Sequence, residues 1–341
     1  MSEFAIPATP DPAEAPAINW GIIAPGHIAN RFTREVHQYT KSRILAVGSR
    51  DLTRAQAFAS EYGIERAYGS YIQLVSDPDI DAIYVANPHS EHHASAMLAL
   101  DAGKPVLVEK AFAMNAAQAE EMFAHAVAGN LFACEAMWSR FLPHYTATRH
   151  LIETGALGQI SGVHADHTQS LNLDPERRMM NASLAGGALL DLGIYPLSFF
   201  HYLLGTPVDV HAEGVLTTTG VDLREAITLH FSQGRYAQSL VDMSARGTNA
   251  ATITGTEARV DIPGWFYRPQ DVTFTPLNGD PVTLKTAVEG GFQFQAAEAA
   301  RCIKDGHTQS SAISWADTVE VLRITDAIRA QLGVAYPQER K

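Results

Sequence analysis

Apolar and polar positions alternate along this chain in two regimes. From Ile18 to about Glu135, apolar runs of strand length alternate with longer stretches whose apolar residues recur three and four apart. Ile18–Ala24 (INWGIIA), Arg43–Gly48 (RILAVG), Asp81–Ala86 (DAIYVA), Val106–Val108 and Leu131–Glu135 (LFACE) read as strands. Helices fall between them: one through Ile28, Ala29, Phe32 and Val36, one through Ala55, Phe58 and Tyr62, one over about Ser90–Ala102 and one from Asn115 to about Ala128. This succession predicts an α/β, doubly wound parallel sheet of Rossmann type. From Ile160 the period falls to two. Ser161–Gln169, Asp209–Thr217, Arg224–Phe231, Tyr236–Asp242, Ala250–Thr254, Ala258–Ile262 and Asp271–Thr275 alternate as strands, with turn pairs such as Gln233-Gly234 and Asn278-Gly279. They predict a C-terminal α+β domain with a large, mainly antiparallel open sheet, one face covered by helices. Met137–Thr154 predicts a crossover helix broken near Pro143. Ala188–Leu204, Phe292–Lys304 and Ala316–Leu332 predict three more helices.

At 341 residues and 46% apolar composition the chain can build two cores. The expected division is a disordered tail over 1–17, a nucleotide-binding domain over 18–137, and a substrate-binding and dimerisation domain over 138–341. Twenty-five basic against 37 acidic residues, a net charge of −12, argue against nucleic acid or an anionic membrane as partner. No apolar run approaches the ~20 residues that span a bilayer, and the N-terminal stretch lacks a secretory pattern. Cys134 and Cys302 lie in apolar patterns and read as buried free thiols. The expectation is a soluble cytoplasmic protein.

Candidate chemistry gathers at strand ends. Within Lys104–Asn115 (KPVLVEKAFAMN), Glu109 and Lys110 fall where a buried strand should end. Ligands of an open α/β sheet sit outside the carboxyl ends of its strands, so Lys110 is expected to face the crevice. Asn115 with Gln118 reads as a capping box for the next helix. After the first strand, Ala24, Gly26 and Ala29 occupy the key positions of a G-x-G-x-x-A fingerprint. Gly26, with His27 and Ile28 opening the helix, would present N–H groups to a pyrophosphate. After the second strand stand Ser49 and Arg50, where an NAD site usually carries an acid. The fixed donor fork of Arg50 suits a 2′-phosphate, which favours NADP over NAD. Asn87, Pro88, His89 and His92 form a loop entering a helix, and no carboxylate or cysteine at ligand spacing supports a metal there. Trp138 reads as a substrate wall or as core packing. Arg140 reads as a substrate contact or a loop anchor. His164 and His167 fall on opposite faces of one strand.

The stretches AIYVANPHSEH, VLVEKAFAMNAAQAEE, EAMWSRFLP and GGALLDLGIYPLSFF resemble the glucose–fructose oxidoreductase / inositol dehydrogenase family (Gfo/Idh/MocA). The last two look most like the branch with NADP-dependent D-xylose dehydrogenases and dimeric trans-dihydrodiol dehydrogenases. The resemblance covers nearly the whole chain after Ile18. It implies hydride transfer between NADP(H) and a sugar, polyol or dihydrodiol, in a homodimer paired through the C-terminal sheet. The family's E-K-P lysine corresponds to Lys110, with Ala111 in place of the proline, and its D-x-G-x-H/Y motif corresponds to Asp191, Gly193 and Tyr195. The expected roles are Tyr195 as proton-transfer group, Lys110 beside the substrate oxygen, and Asp191 orienting either. Asn87, Pro88, His89 and Glu109 would line the nicotinamide side, and Phe294 and Glu298 resemble positions that approach the cleft. A catalytically silent NADP- or sugar-sensing protein is the alternative on the same fold.

Overall fold

A computed structural model describes residues 6–339. They form two compact units: residues 10–138 with 290–319, and residues 139–289 with 320–339 and 6–9.

In the first unit, six strands lie in the order β3-β2-β1-β4-β5-β6 and all pair in parallel. They are β1 (Asn19–Ile23), β2 (Arg43–Gly48), β3 (Arg66–Tyr68), β4 (Ala82–Val85), β5 (Val106–Glu109) and β6 (Ala133–Ala136). This is the Rossmann order, as expected. Helices α1 (His27–Tyr39), α2 (Leu52–Tyr62), α3 (Tyr71–Val75), α4 (His89–Asp101) and α5 (Ala116–Gly129) connect them. The runs of β4, β5 and β6 are fully buried because helices cover both faces. Phe32 of α1 stacks on Tyr84 of β4 at 3.8 Å and meets Trp20 of β1 edge-on at 5.4 Å.

After α6 (Pro143–Glu153), the second unit carries a nine-stranded sheet. Its strands are β7 (Ile160–Ala165), β8 (His167–Thr168), β9 (Asp209–Leu216), β10 (Asp222–Phe231), β11 (Arg235–Asp242), β12 (Ala251–Gly255), β13 (Ala258–Ile262), β14 (Val272–Pro276) and β15 (Val282–Leu284). Most pairs are antiparallel, but β11 runs parallel to β7 and β8, so the sheet is mixed. Asp166 interrupts the expected strand over Ser161–Gln169 by accepting the Leu240 N–H at 2.8 Å. A π-helical turn over Leu189–Gly193 leads into α7 (Ile194–Leu204). Pro196 brings no N–H and its ring crowds the carbonyl four residues back, which a wider turn relieves.

Three expectations change. The helix over Phe292–Lys304, α8, belongs to the first unit with the start of α9 (Trp315–Leu332). Its apolar face of Phe292, Ala296, Ala299 and Ala300 is buried, and the Phe292 N–H donates to Glu35 of α1 at 2.6 Å. Amphipathic period announces a buried face and not the surface that buries it. The expected tail over 1–17 is in part packed: Asp11 caps a short helical turn over Pro12–Glu14, Ala15 is buried, and Arg301 donates to the Asp11 carbonyl at 2.6 Å. The rest of that expectation, 1–5, lies outside the described residues. Finally, Ala182–Leu204 is a 23-residue helical stretch long and apolar enough to cross a membrane by length and composition, contrary to the expectation of no such run. Eighty-three per cent of its most apolar window is buried inside the protein, which accounts for that composition as core.

Candidate active site

Lys110 lies at the carboxyl end of β5, half-buried, on a loop held from several sides. The buried Glu109 carboxylate accepts the Tyr84 hydroxyl and lies 3.3 Å from the Lys110 N–H. His89 Nε2 is 3.2 Å from the Lys110 carbonyl oxygen, and His92 Nδ1 is 2.9 Å from that of Ala111. The other ring nitrogen of His92 is 2.8 Å from the Asn87 carbonyl. Burial lowers His92 to about 4, with the Lys110 charge adding to it and the facing carbonyls opposing it. Glu135 of β6 accepts the Phe112 N–H at 3.3 Å and the Thr318 hydroxyl at 3.1 Å. The loop then enters α5 through the expected capping box: Asn115 accepts from the Gln118 N–H at 2.9 Å, and Gln118 accepts from Met114 at 3.2 Å. The Lys110–Ala111 peptide is cis.

The same sheet edge fits a dinucleotide. Gly26 precedes the first turn of α1, which has no side-chain cap, so its N–H groups point outward. A Cβ at Gly26 would meet only the Ala86 carbonyl at 3.7 Å, so a ligand can approach the backbone closely. Ala24 holds the fingerprint's first position at φ 71°, the left-handed region that glycine enters more easily. Ser49 is buried and accepts the Asp51 N–H at 3.1 Å, while Arg50 is exposed at the end of β2. Asn87 donates to Ser95 at 2.7 Å, and its buried Oδ1 has no donor among the described residues. That leaves an acceptor for a ligand N–H.

The second unit presents Asp191 and Tyr195 one turn apart. Asp191 rides on the π-helical turn and accepts from Arg178 at 3.1 Å. Tyr195 stacks on Tyr267 at 4.4 Å, and His167 meets its edge at 5.2 Å while lying 4.4 Å from Tyr267. His167 Nδ1 faces the Leu192 carbonyl at 2.9 Å, and its Nε2 faces the Gln169 amide at 2.8 Å. Asp222 accepts the Leu189 N–H and so anchors the start of this helical stretch. Beneath it the Glu225 carboxyl is fully buried, and neither oxygen has a partner among the described residues. Burial first, then the neighbouring Asp222 and Asp242 charges, raise Glu225 well above the ordinary carboxylate range.

Several expected contacts turn out to be supports. His92 has no exposed surface, and its nitrogens face carbonyls, so it clamps the loop. Glu109 is turned inward onto Tyr84. Trp138 is core packing: it lies 5.0 Å from Phe292, with the Arg31 guanidinium 4.5 Å from its ring. Arg140 is an anchor, donating to the Ser198 carbonyl at 3.4 Å and stacking on Tyr202 at 4.3 Å. Phe294 is buried and Glu298 accepts the Ser310 hydroxyl at 2.7 Å, both within the first unit. His167, Tyr267, Arg178 and Glu225 were not singled out as site residues by sequence. The local signal that could have pointed to Tyr267 is the W-F-Y run at Trp265–Tyr267, which lies between two strands.

Comparison with known proteins decides the ancestry. Residues 18–133 match the oxidoreductase family with an NAD-binding Rossmann fold, and residues 145–261 match the GFO/IDH/MocA C-terminal domain. Trans-1,2-dihydrobenzene-1,2-diol dehydrogenase of Danio rerio is 35% identical over 333 residues, 95% of this chain and 99% of that protein. The chain belongs to the Gfo/Idh/MocA oxidoreductase family. The human protein of the same name is 31% identical over 335 residues, 95% of this chain and 100% of that protein. Among solved structures, this Gfo/Idh/MocA chain is similar to the aldose-aldose oxidoreductase of Caulobacter crescentus complexed with glycerol. The TM-score is 0.83 at 27% identity, covering 92% of this chain and 97% of that one. It is also similar to KijD10, a 3-ketoreductase from Actinomadura kijaniata in complex with NADP and TDP-benzene. There the TM-score is 0.82 at 26% identity, with 92% and 98% covered. The chain is thus an oxidoreductase with an NAD-type Rossmann domain.

Proposed function

We propose that this Gfo/Idh/MocA oxidoreductase interconverts a carbinol and a carbonyl on a sugar, polyol or dihydrodiol, using NADP(H). The aromatic setting of Tyr195 carries this reading. Tyr267 stacked on it and His167 at its edge are both buried and hold the ring of Tyr195, the family motif's proton-transfer position, in one orientation. NADP, when bound, supplies or takes the hydride. Tyr195 accepts the hydroxyl proton in oxidation and returns it in reduction. Lys110 hydrogen-bonds a substrate oxygen, the role that the family motif implies. Asp191, fixed by Arg178, orients the substrate. Arg50 takes the 2′-phosphate, which makes NADP the preferred cofactor.

A screen of aldoses, ketoses and dihydrodiols with both cofactors, followed at the nicotinamide absorbance, tests this. Turnover with NADP supports it. Saturable cofactor binding with no turnover on any of the three classes would favour a sensor instead.

The second-unit sheet exposes Val208, Val215, Leu216, Tyr236 and Leu240. A second copy of the chain covers this apolar surface in our reading, giving a homodimer. Sedimentation at micromolar concentration checks it, and a monomer there would refute it. Two buried free thiols suit a reducing cytoplasm, which fractionation of the source cells can check.

A further inference from the structure

The aromatic cluster around Tyr195 continues into a region that the proposed chemistry does not use. Trp265 meets Tyr267 edge-on at 6.0 Å. The Arg268 guanidinium lies 4.4 Å from the Trp265 ring and 5.8 Å from that of Tyr267, and the Arg246 guanidinium lies 5.2 Å from Trp265. Two like charges are thus held against one ring. Both arginines are exposed, and among the described residues neither has a carboxylate at ion-pair distance. Each guanidinium is attracted by the ring face it lies over. The pair is therefore tolerated, and its charge remains available to an anion.

The loops bearing these groups are built to hold them. Trp265 sits at φ 66°, a conformation that a bulky aromatic keeps only where its surroundings enforce it. The Phe266 N–H donates to the Asn249 carbonyl at 2.9 Å. Gly264 runs so near Thr248 that a Cβ would lie 2.6 Å from its carbonyl oxygen. On the Arg246 side, the Gly247 N–H donates to the Thr168 hydroxyl at 2.5 Å, and buried Asn249 bonds the Thr168 backbone at 2.6 and 3.0 Å. Thr168 follows His167, which packs on both Tyr195 and Tyr267. Arg246, Arg268 and Tyr195 therefore belong to one clamped assembly.

We propose that Arg246, Arg268 and Trp265 form a subsite for a phosphoryl group at the far end of the substrate, so that the preferred substrate is a phosphorylated sugar or polyol. This rests on the reading of Tyr195 as the chemical centre. Ring-to-ring steps of 4.4 and 6.0 Å through the buried Tyr267 set the separation of Tyr195 and Trp265, one that the length of a sugar chain matches. Two guanidinium forks match the oxygens and near-double charge of a phosphate monoester better than a single carboxylate.

Calorimetric titration of the NADP-loaded protein with glucose, glucose 6-phosphate, gluconate and inorganic phosphate tests the subsite without requiring turnover. Glucose 6-phosphate should bind at least about tenfold more tightly than glucose or gluconate. Inorganic phosphate should compete with it, and the preference should shrink with added salt. Arg246→Gln with Arg268→Gln should bring the ratio near one, while lysine at both positions should keep part of it. Retained NADP binding in each variant shows that the fold is intact. Equal binding of the neutral and phosphorylated sugars, no binding of any phosphate, or a preference that survives the glutamine pair would overturn the subsite. Tighter binding of gluconate than of glucose 6-phosphate would overturn its assignment to phosphate. A failed turnover screen would leave these titrations to be read by themselves.

Discussion

His92 Nδ1 lies 2.9 Å from the carbonyl oxygen of Ala111, the residue that follows Lys110. This contact links the helix after β4 to the loop after β5, and the second ring nitrogen, 2.8 Å from the Asn87 carbonyl, ties in the loop before that helix. The nicotinamide side of the site and the lysine loop are thus held by one buried ring. His92→Leu removes the ring and leaves buried carbonyls without a partner, which should cost about 2–4 kcal/mol of stability. Turnover should fall further than NADP affinity, because Lys110 loses its support and the α1 terminus does not. Urea unfolding and steady-state kinetics measure both. Unchanged stability and turnover would refute the clamp.

Acid should weaken the fold before its carboxylates are protonated. Burial lowers both His92 and His144 to about 4, below the ordinary value of 6.5. The unfolded chain then binds the extra protons, so this stability is full above about 6.5 and is lost as the pH falls toward 4. Each ring should contribute a slope of up to about 1.4 kcal/mol per pH unit in that window. Urea midpoints taken from neutral to mildly acid pH should decline, and His144→Gln should flatten the decline. A flat profile in the parent protein would contradict the assignment.

Glu225 acts in the opposite direction. Its folded value is raised by burial, so the folded state holds the extra proton and stability declines as the pH rises from its ordinary value of 4.5. Glu225→Gln keeps the shape and removes the charge. It should stabilise the protein at neutral pH by about 1–3 kcal/mol, with the gain disappearing toward acid. Thermal unfolding at two pH values decides this, and destabilisation at neutral pH would count against it.

Cofactor choice turns on Arg50, exposed at the end of β2 beyond the buried Ser49. Arg50→Asp should weaken NADP(H) by about tenfold or more while leaving NAD(H) much less affected. Fluorescence titration with both reduced cofactors measures it. Equal losses would place the 2′-phosphate elsewhere.

The fold was legible where periodicity is strong. The strands that became β1, β2, β4, β5 and β6 and the change to period two after Ile160 follow directly from burial on two faces or one. What escaped has physical reasons. β3 and β15 span only Arg66–Tyr68 and Val282–Leu284, too short to show a period. The docking of α8 depends on α1, which its own pattern does not name. At the site, strand ends and the family motif pointed to Lys110, Tyr195 and Asp191. The division between lining and supporting residues did not show, because His92, Glu109 and Trp138 carry functional side chains that the fold turns inward. His167 and Tyr267 reach Tyr195 from strands and loops far away in sequence. No local pattern encodes that approach.

The most direct test of the chemistry is turnover of Tyr195→Phe, measured on whichever substrate the screen identifies, beside its affinity for NADP. The phenylalanine keeps the ring against Tyr267 and His167 and removes only the hydroxyl. Turnover should fall by about 10²–10⁴-fold with NADP affinity nearly unchanged. Lys110→Met should be at least as damaging, and the double variant scarcely worse than the poorer single one, if the two act as a unit. Near-normal turnover in Tyr195→Phe would contradict the account and assign the proton to another group.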